Sequence, residues 1–207
     1  TDDRMSPLVA LKSPWAVLGA LAIFFYVGSE VTIGDLLTNF LHSPDILNVP
    51  LAAAGSMVAW YWGGAMVGRL VGGLLMLTKI PATTILIVNT AVAAALCLVV
   101  TQTSGTTAAY AAIAIGFFNS IMFPTIFTLT LERSTAPIPA TSGLLVFGII
   151  GGAVLPPVAG QIADQAATLN PVFYVPLAGY LLLVGFALAA SRAKVRNAAA
   201  SGTPGSH

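Results

Sequence analysis

The feature that most constrains this chain is the distribution of its few charged residues. Aspartate, glutamate, lysine and arginine make up only 7% of the 207 residues, whereas a soluble globular domain carries roughly a quarter. The charge-free stretches are 13–29, 46–68, 80–131, 134–163 and 165–191, and the longest holds 52 residues. Because a helix needs about 20 apolar residues to cross a bilayer, this stretch holds two spans joined by the polar turn TQTSGTT. The sequence therefore predicts an all-α integral membrane protein that crosses the bilayer several times.

Helix-breaking proline, glycine and polar residues between the apolar stretches divide the chain into three segments and six candidate spans. We predict a cytoplasmic N-terminal segment at 1–13, a transmembrane domain at 14–191 and a disordered cytoplasmic tail at 192–207. The predicted spans are 14–41, 51–78, 81–101, 107–131, 141–164 and 172–190. The first residues have neither an initiator methionine nor the order of a signal peptide. We therefore expect the chain to begin within a longer protein.

Lysine and arginine predict the orientation of these spans. If alternate loops share a side, one side carries seven of the eight cations and the other carries none. The seven are Arg4, Lys12, Lys79, Arg133, Arg192, Lys194 and Arg196. Because positive residues accumulate in cytoplasmic loops, we expect this side, and both ends of the chain, to be cytoplasmic. The eighth cation, Arg69, lies within the second predicted span.

Composition also argues against several classes of function. A net charge of +1, with no basic cluster beyond the last three cations, gives no electrostatic footprint for nucleic acid. The single cysteine, Cys97, lies in an apolar run and has no histidine cluster nearby, so we expect no metal site and no cofactor. An intramembrane protease needs a base within the bilayer, but His42 and His207 lie at a helix end and in the tail. With no GxSxG motif either, we expect no catalytic residues and no enzyme.

Four polar residues inside the predicted spans are candidate functional residues: Glu30, Asp35, Arg69 and Asn119. Groups of this kind are costly at such depth and mark either a functional cavity or a buried pair. The alternative is that they form interhelical hydrogen bonds that only hold the bundle together. At 100° per residue, Gly28, Thr32, Asp35 and Asn39 share a face of the first span, whereas Glu30 lies on another. One straight helix therefore cannot aim Glu30 and Asp35 at the same cavity.

Breakers in the first and fourth spans predict local unwinding that would relax this constraint. Gly28 and Gly34 stand in the first span, and Gly116 and Pro124 stand in the fourth. These two spans begin two successive units of three spans each. Interrupted helices at corresponding positions of inverted repeats point to the substrate site of a transporter. We therefore predict two inverted three-helix repeats with a site between their first helices.

Glycines in the second and fifth spans have a different interpretation. Gly64, Gly68 and Gly72 recur every four residues, and such a stripe of small residues lets two helix backbones approach closely. Gly148 and Gly152 repeat the spacing in the fifth span. We predict that both sets pack against neighbouring helices.

Four phrases carry a resemblance to a known family. They are FFYVGSEVTIGDLLTNFL, AWYWGGAMVGRLVGGLL, FFNSIMFPTIFTLTL and TSGLLVFGIIGGAVLPPVAGQIAD. They resemble the seventh, eighth, tenth and eleventh helices of the fucose:proton and glucose/galactose symporter family within the major facilitator superfamily. The resemblance spans about residues 15 to 190. It implies that the chain is the C-terminal six-helix half of a twelve-helix fold.

The resemblance also implies a function. It implies a proton-coupled symporter of hexose or fucose type in a bacterial inner membrane, working by alternating access. The implied partners are a sugar, protons, the lipid bilayer and an N-terminal six-helix half outside this chain, with no nucleic acid. A different class remains open, namely a six-helix structural or assembly subunit that binds no solute.

Site residues follow from the resemblance one position at a time. Glu30, Asn39 and Asn119 match positions in the family's phrases, whereas Asp35 stands where we expect a small residue such as serine. Trp60 could stack on the apolar face of a sugar or simply pack. We therefore assign these five residues to substrate binding as expectations.

We also predict an ion pair at a cytoplasmic gate. Arg69 lies about nine residues, or roughly 13 Å, before the end of the second span, and Glu132 lies at the cytoplasmic end of the fourth. Related facilitators place arginine and glutamate at similar levels. The alternative is that Arg69 caps backbone carbonyls or meets lipid phosphate.

Overall fold

A computed structural model describes residues 3–197, which form helices joined by short connections. The helices are α1 (Pro7–Ala10), α2 (Pro14–His42), α3 (Leu51–Met76), α4 (Ala82–Gln102), α5 (Gly105–Asn119), α6 (Met122–Arg133), α7 (Ile138–Phe147), α8 (Gly151–Gln165) and α9 (Tyr174–Arg192). Short 3-10 helices cover Asp3–Met5, Gly148–Ile150 and Asn170–Phe173. The predicted all-α class is confirmed.

Apart from the short helix α1, the helices of the described residues form six rods, and each rod corresponds in position to one predicted span. Helices α5 and α6 follow each other in one rod, as do α7, a 3-10 turn and α8, and every rod end lies within three residues of its predicted position. Five rods are long and apolar enough to cross a membrane: Pro14–His42, Ala82–Gln102, Gly105–Arg133, Ile138–Gln165 and Asn170–Arg192. Helix α3 is also long, at 26 residues, but its glycines, its WYW group and Arg69 lower its mean hydropathy.

The structure corrects one prediction about helix breaks. Helix α2 is continuous, so the prediction that Gly28 and Gly34 unwind it is wrong. Because glycine has no side chain, residues of neighbouring helices pack directly against α2 at these two positions. A Cβ on Gly28 would overlap Leu155, and one on Gly34 would lie 2.7 Å from the Trp62 ring. The break predicted in the fourth span is confirmed at 120–121, where Pro124 offers no N–H to the carbonyl four residues earlier.

Glycine packing joins α3 to α5 and α2 to the α7–α8 rod. A Cβ on Gly68 would overlap the Phe117 carbonyl oxygen, and a Cβ on Gly72 would lie 2.7 Å from Ile121. On the fifth rod, a Cβ on Gly148 would lie 2.6 Å from the Ala20 carbonyl oxygen. Helix backbones therefore approach closely at these positions. The packing interpretation of both glycine sets is confirmed.

The segment before α2 and the segment after α9 are both packed against the bundle. Helix α1 packs against α7, where a Cβ on Gly143 would lie 2.7 Å from Pro7. The amides of Arg196 and Asn197 donate to the Glu132 carbonyl oxygen at 2.6 and 3.0 Å. The prediction of a disordered tail is therefore wrong for 193–197, because these residues satisfy carbonyls at the end of α6. Residues 1, 2 and 198–207 lie outside the described part of the chain.

The core is aromatic in the middle of the bundle. Tyr26, Tyr61 and Tyr180 come from three different helices, and all three side chains are fully or almost fully buried. Because a buried tyrosine hydroxyl needs a hydrogen-bond partner, this core fixes where polar groups must also lie.

Candidate functional site

A chain of hydrogen bonds crosses the middle of the bundle. The Tyr180 hydroxyl of α9 donates to Asn119 Oδ1 at the end of α5. Asn119 Nδ2 donates to the Tyr61 hydroxyl of α3 at 2.7 Å. The Tyr61 hydroxyl in turn donates to the backbone carbonyl of Glu30 at 3.3 Å. One asparagine therefore connects four helices through a continuous set of donors and acceptors.

This chain of bonds changes the interpretation of Asn119. Its side chain is 1% exposed, and both its amide oxygen and its amide nitrogen are used by tyrosines. In this structure each of its two polar atoms already has a partner within the bundle. The amide thus meets the hydrogen-bonding needs of two buried phenols, and direct binding of substrate by Asn119 stays a prediction.

Glu30 lies beside this network, at mid-span of α2. Its side chain is half-buried. The carboxyl interacts with the Tyr26 hydroxyl one helical turn earlier, and the positive charge of Arg69 on α3 acts on it electrostatically. A carboxylate at this depth, with a phenol and a guanidinium nearby, can exchange a proton or accept hydrogen bonds from a hydroxylated solute.

Asp35 and Asn39 lie in a separate crevice between α2 and α8. The crevice has a volume of about 200 Å³ and is lined by Thr32, Asp35, Leu36, Asn39, Pro156, Ala159, Gly160 and Val172. Glu30 is not among these residues. The helical phase that separates Glu30 from Asp35 is therefore confirmed. In the described part of the chain, Glu30 thus lies outside the crevice that holds Asp35 and Asn39.

Thr32 is a polar residue of this crevice that was missing from the predicted site. It is 2% exposed, and its hydroxyl has no hydrogen-bond partner. Helical phase places it on the face of Asp35 and Asn39, because residues at i, i+3 and i+7 share a helix face, and this position is the signal that could have assigned it to the site. Tyr26 could have been found in the same way, one turn before Glu30.

The aromatic group at 60–62 is divided between three environments. Trp60 is 72% exposed, whereas Tyr61 is fully buried. Trp62 lies over Gly34 of α2 and contacts Tyr61 edge to face at a centroid distance of 4.9 Å. The indole ring that packs against α2 is therefore that of Trp62 and not that of Trp60. A sugar-stacking role for Trp60 stays a prediction.

The predicted pair of Arg69 with Glu132 is not formed in the described part of the chain. Glu132 Oε2 instead accepts from Arg133 Nη1 at 3.0 Å. Arg133 is 5% exposed and also donates through Nε to the Ala190 carbonyl at 2.9 Å. Glu132 therefore neutralises a buried neighbour, and Arg69 is exposed on α3.

Comparison with known proteins identifies relatives that are all transporters. No protein-family model matches the chain. The chain is 40% identical over 176 residues to the glucose/galactose transporter of Brucella abortus, which covers 85% of the chain and 42% of that protein. It is 40% identical over 176 residues to a putative glucose/galactose transporter of Helicobacter pylori, and the match covers 83% of this chain and 42% of that protein. It is 28% identical over 176 residues to the L-fucose-proton symporter of Escherichia coli, and the match covers 84% of this chain and 38% of that protein.

Solved structures show the fold. The chain superposes on FucP, a major facilitator superfamily transporter, in the outward conformation with a TM-score of 0.81 and 24% identity, over 86% of this chain and 43% of that one. A second structure, of the E. coli fucose:proton symporter FucP, gives a TM-score of 0.84 at 23% identity, over 93% of this chain and 47% of that one. The chain thus spans less than half the length of the proteins it matches and has the fold of the matching part.

Proposed function

We propose that this chain is the C-terminal half of a proton-coupled sugar symporter. Its homology to the glucose/galactose transporters and to the L-fucose-proton symporter supports this proposal. Its six rods would then be six spans in two inverted repeats of three. The broken fourth rod supports this arrangement, since discontinuous helices mark transporter sites. The unbroken first rod means that only one of the two repeats carries such a break.

The orientation we propose has both ends of the chain in the cytoplasm of a bacterial cell, in the inner membrane. Seven cations support it, because they lie at one end of the helices, before the start of α2, after the end of α3, and at or beyond the ends of α6 and α9. Alternating access would move this half against an N-terminal half that completes the cavity.

Glu30 is the observation that carries the proposal. It is the one carboxylate that the described helices hold at mid-span, where the Tyr26 hydroxyl and the charge of Arg69 act on it. The Tyr61 bond to its backbone carbonyl fixes its position relative to α3 and α5. A structural subunit would have no use for an ionisable group held in this way at such cost. We propose that Glu30 contacts the sugar or the coupled proton.

The test uses the complete transporter, meaning this chain joined to its N-terminal half, reconstituted in proteoliposomes. Sugar uptake and sugar-driven proton uptake are measured across a range of external pH. Glu30→Gln should abolish the pH dependence of uptake while leaving expression and the melting temperature unchanged. Asp164→Asn removes an exposed carboxylate at the end of α8 and is the matched control.

Two outcomes would contradict the proposal. A Glu30→Gln protein whose uptake follows pH as the parent does would remove Glu30 from the site. An intact complete protein that moves none of glucose, galactose and fucose would favour the structural subunit.

A further inference from the structure

Two apolar grooves run along the outside of the bundle, one on each side of α2. The first lies between α2 and α7, has a volume of about 210 Å³ and includes Phe24 and Phe147. The second lies between α2 and α9, has a volume of about 240 Å³ and includes Phe25 and Leu182. Every residue that lines either groove is apolar or glycine. Leu21 lines both, so the two grooves adjoin each other at this side chain.

Both grooves have the depth of one leaflet of a bilayer. The first extends to Phe24, ten residues after α2 begins at Pro14, and the second to Leu182, ten residues before α9 ends at Arg192. At 1.5 Å per residue, each reaches roughly 15 Å from the helix end, which is half of a hydrocarbon core about 30 Å thick. Trp15 stands at the start of α2, and indole rings are enriched at the level of the headgroups. The grooves therefore match the acyl chains of a single leaflet in length.

The grooves are open, and the ridge between them is narrow. Leu18 lines the second groove and Leu21 lines both, and these two exposed side chains form the ridge. Gly185 lines the second groove, and a Cβ at this position would have no atom within 4 Å. Two apolar channels on either side of a ridge of leucines suit the two acyl chains of one phospholipid, because both chains leave the same glycerol.

A cation stands at the mouth of each groove. Lys12 directly follows Leu11, which lines the first groove. Arg192 lies three residues after Ala189, which lines the second, and residues at i and i+3 share a helix face. Both cations are exposed, and long basic side chains extend along apolar surface toward the polar headgroups. This arrangement is complementary to a lipid that carries a net negative charge.

We propose that the grooves bind one anionic phospholipid, with one acyl chain in each groove and its phosphate held by Lys12 and Arg192. Basic residues near a membrane surface favour anionic lipids, whereas a zwitterionic headgroup brings a positive charge of its own. A helix of the N-terminal half is the other occupant that the test distinguishes, and such a helix needs no cation at each mouth. The site does not depend on sugar transport. Only its assignment to the cytoplasmic leaflet rests on the proposed function and orientation.

The experiment uses the complete transporter in a non-ionic detergent. Native mass spectrometry counts the molecules of dioleoylphosphatidylglycerol and dioleoylphosphatidylcholine that it retains. The two lipids have the same acyl chains, so a difference between them reports on the headgroup. We expect one retained phosphatidylglycerol, bound at least about tenfold more tightly than phosphatidylcholine. Because a ligand that binds only the folded state raises the melting temperature with its concentration, the melting temperature gives a second measure of binding.

Substitutions at the two cations test the headgroup contact. Lys12→Gln and Arg192→Gln should each lower the affinity for phosphatidylglycerol about fivefold, as expected for one basic residue near an anionic lipid. Both should leave the affinity for phosphatidylcholine nearly unchanged. Lys79→Gln is the matched control, since Lys79 is an exposed cation at the same end of the helices and lines neither groove. It should bind both lipids as the parent does.

A substitution within the second groove tests the acyl chain. Gly185→Leu fills the open space beside this glycine, so the chain loses its packing contacts there, and retention of both lipids should fall about tenfold. The lipid-free protein should be as stable as the parent or slightly more stable, because leucine is a better helix former than glycine. Gly73→Leu is the control, since Gly73 of α3 also has open space at its Cβ and lines neither groove.

Four results would overturn the site. One is equal retention of the two lipids by the parent protein. Another is an equal effect of Lys12→Gln, Arg192→Gln and Lys79→Gln on phosphatidylglycerol. The third is unchanged retention of both lipids by Gly185→Leu. The fourth is a complete transporter that retains no lipid, which would show that the N-terminal half covers the grooves. Sugar uptake by the same preparations keeps failure of this site distinct from failure of the transport proposal.

Discussion

Replacing Asn119 with alanine should destabilise the bundle and leave sugar affinity nearly unchanged. The substitution removes two hydrogen bonds between helices, one to the Tyr61 hydroxyl and one from the Tyr180 hydroxyl. Interhelical hydrogen bonds in membranes contribute about 0.6 kcal/mol on average and up to about 1.7. Tyr180 is fully buried, so its hydroxyl is then left without an acceptor at a cost of about 1 to 3 kcal/mol. Together with the lost bond to Tyr61, we expect a total loss of about 2 to 5 kcal/mol in the free energy of unfolding.

A double-mutant cycle gives the sharper form of this prediction. Tyr180→Phe leaves the Asn119 oxygen without its donor, so each single variant loses the same bond. The loss in the double variant should be smaller than the sum of the single losses by about 0.6 to 1.7 kcal/mol. Tyr174→Phe is the control, because Tyr174 is 49% exposed and its hydroxyl accepts only from Gln102 at the surface. It should change stability by less than about 0.5 kcal/mol.

The assay is equilibrium unfolding of the complete transporter in mixed micelles, with sugar binding measured on the same preparations. Additive losses in the cycle would show that Asn119 and Tyr180 do not act together. An Asn119→Ala protein with parental stability and no sugar binding would return Asn119 to the substrate site and refute its role as a connector of tyrosines.

Two further predictions concern packing and the cytoplasmic end. Gly68→Ala should cost about 1 to 3 kcal/mol in unfolding free energy by overpacking, since its Cβ would overlap the Phe117 carbonyl. Gly73→Ala, with no atom within 4 Å of its Cβ, should be neutral or slightly stabilising, and equal losses would contradict the close approach. The charge swap of Arg69→Glu with Glu132→Arg should not restore the uptake lost in the single variants, because Glu132 pairs with Arg133 in this structure. Recovery in an uptake assay would support a latch in another state.

The spans can be predicted from the sequence because the physics that sets them is local. Charge-free stretches of sufficient length specify membrane helices. Proline removes a helical hydrogen bond, and the fourth rod breaks just before Pro124, whereas α8 continues through Pro156 and Pro157. The effect of a glycine also depends on its surroundings. Gly28 and Gly34 could loosen α2 by their own flexibility, but their environment decides the outcome, and Leu155 and Trp62 fill the space they leave.

The candidate site can be predicted only as far as helical phase reaches. Phase alone places Asp35 beside Asn39 and away from Glu30, as the crevice shows. The partners of Asn119 are 58 and 61 residues away in sequence, on helices whose rotation the pattern does not specify. A buried asparagine that joins two tyrosines and one that binds a sugar look the same in one sequence. The packing of the whole bundle distinguishes them.

The central claim, that this chain is half of a sugar symporter, is tested most directly by uptake of labelled sugar. The complete transporter is reconstituted in proteoliposomes, and accumulation of glucose, galactose and fucose is followed with and without an inward proton gradient. We predict that at least one of these sugars accumulates against its gradient when protons are supplied and only equilibrates when they are not. Accumulation of none of the three by a correctly folded protein would contradict the account.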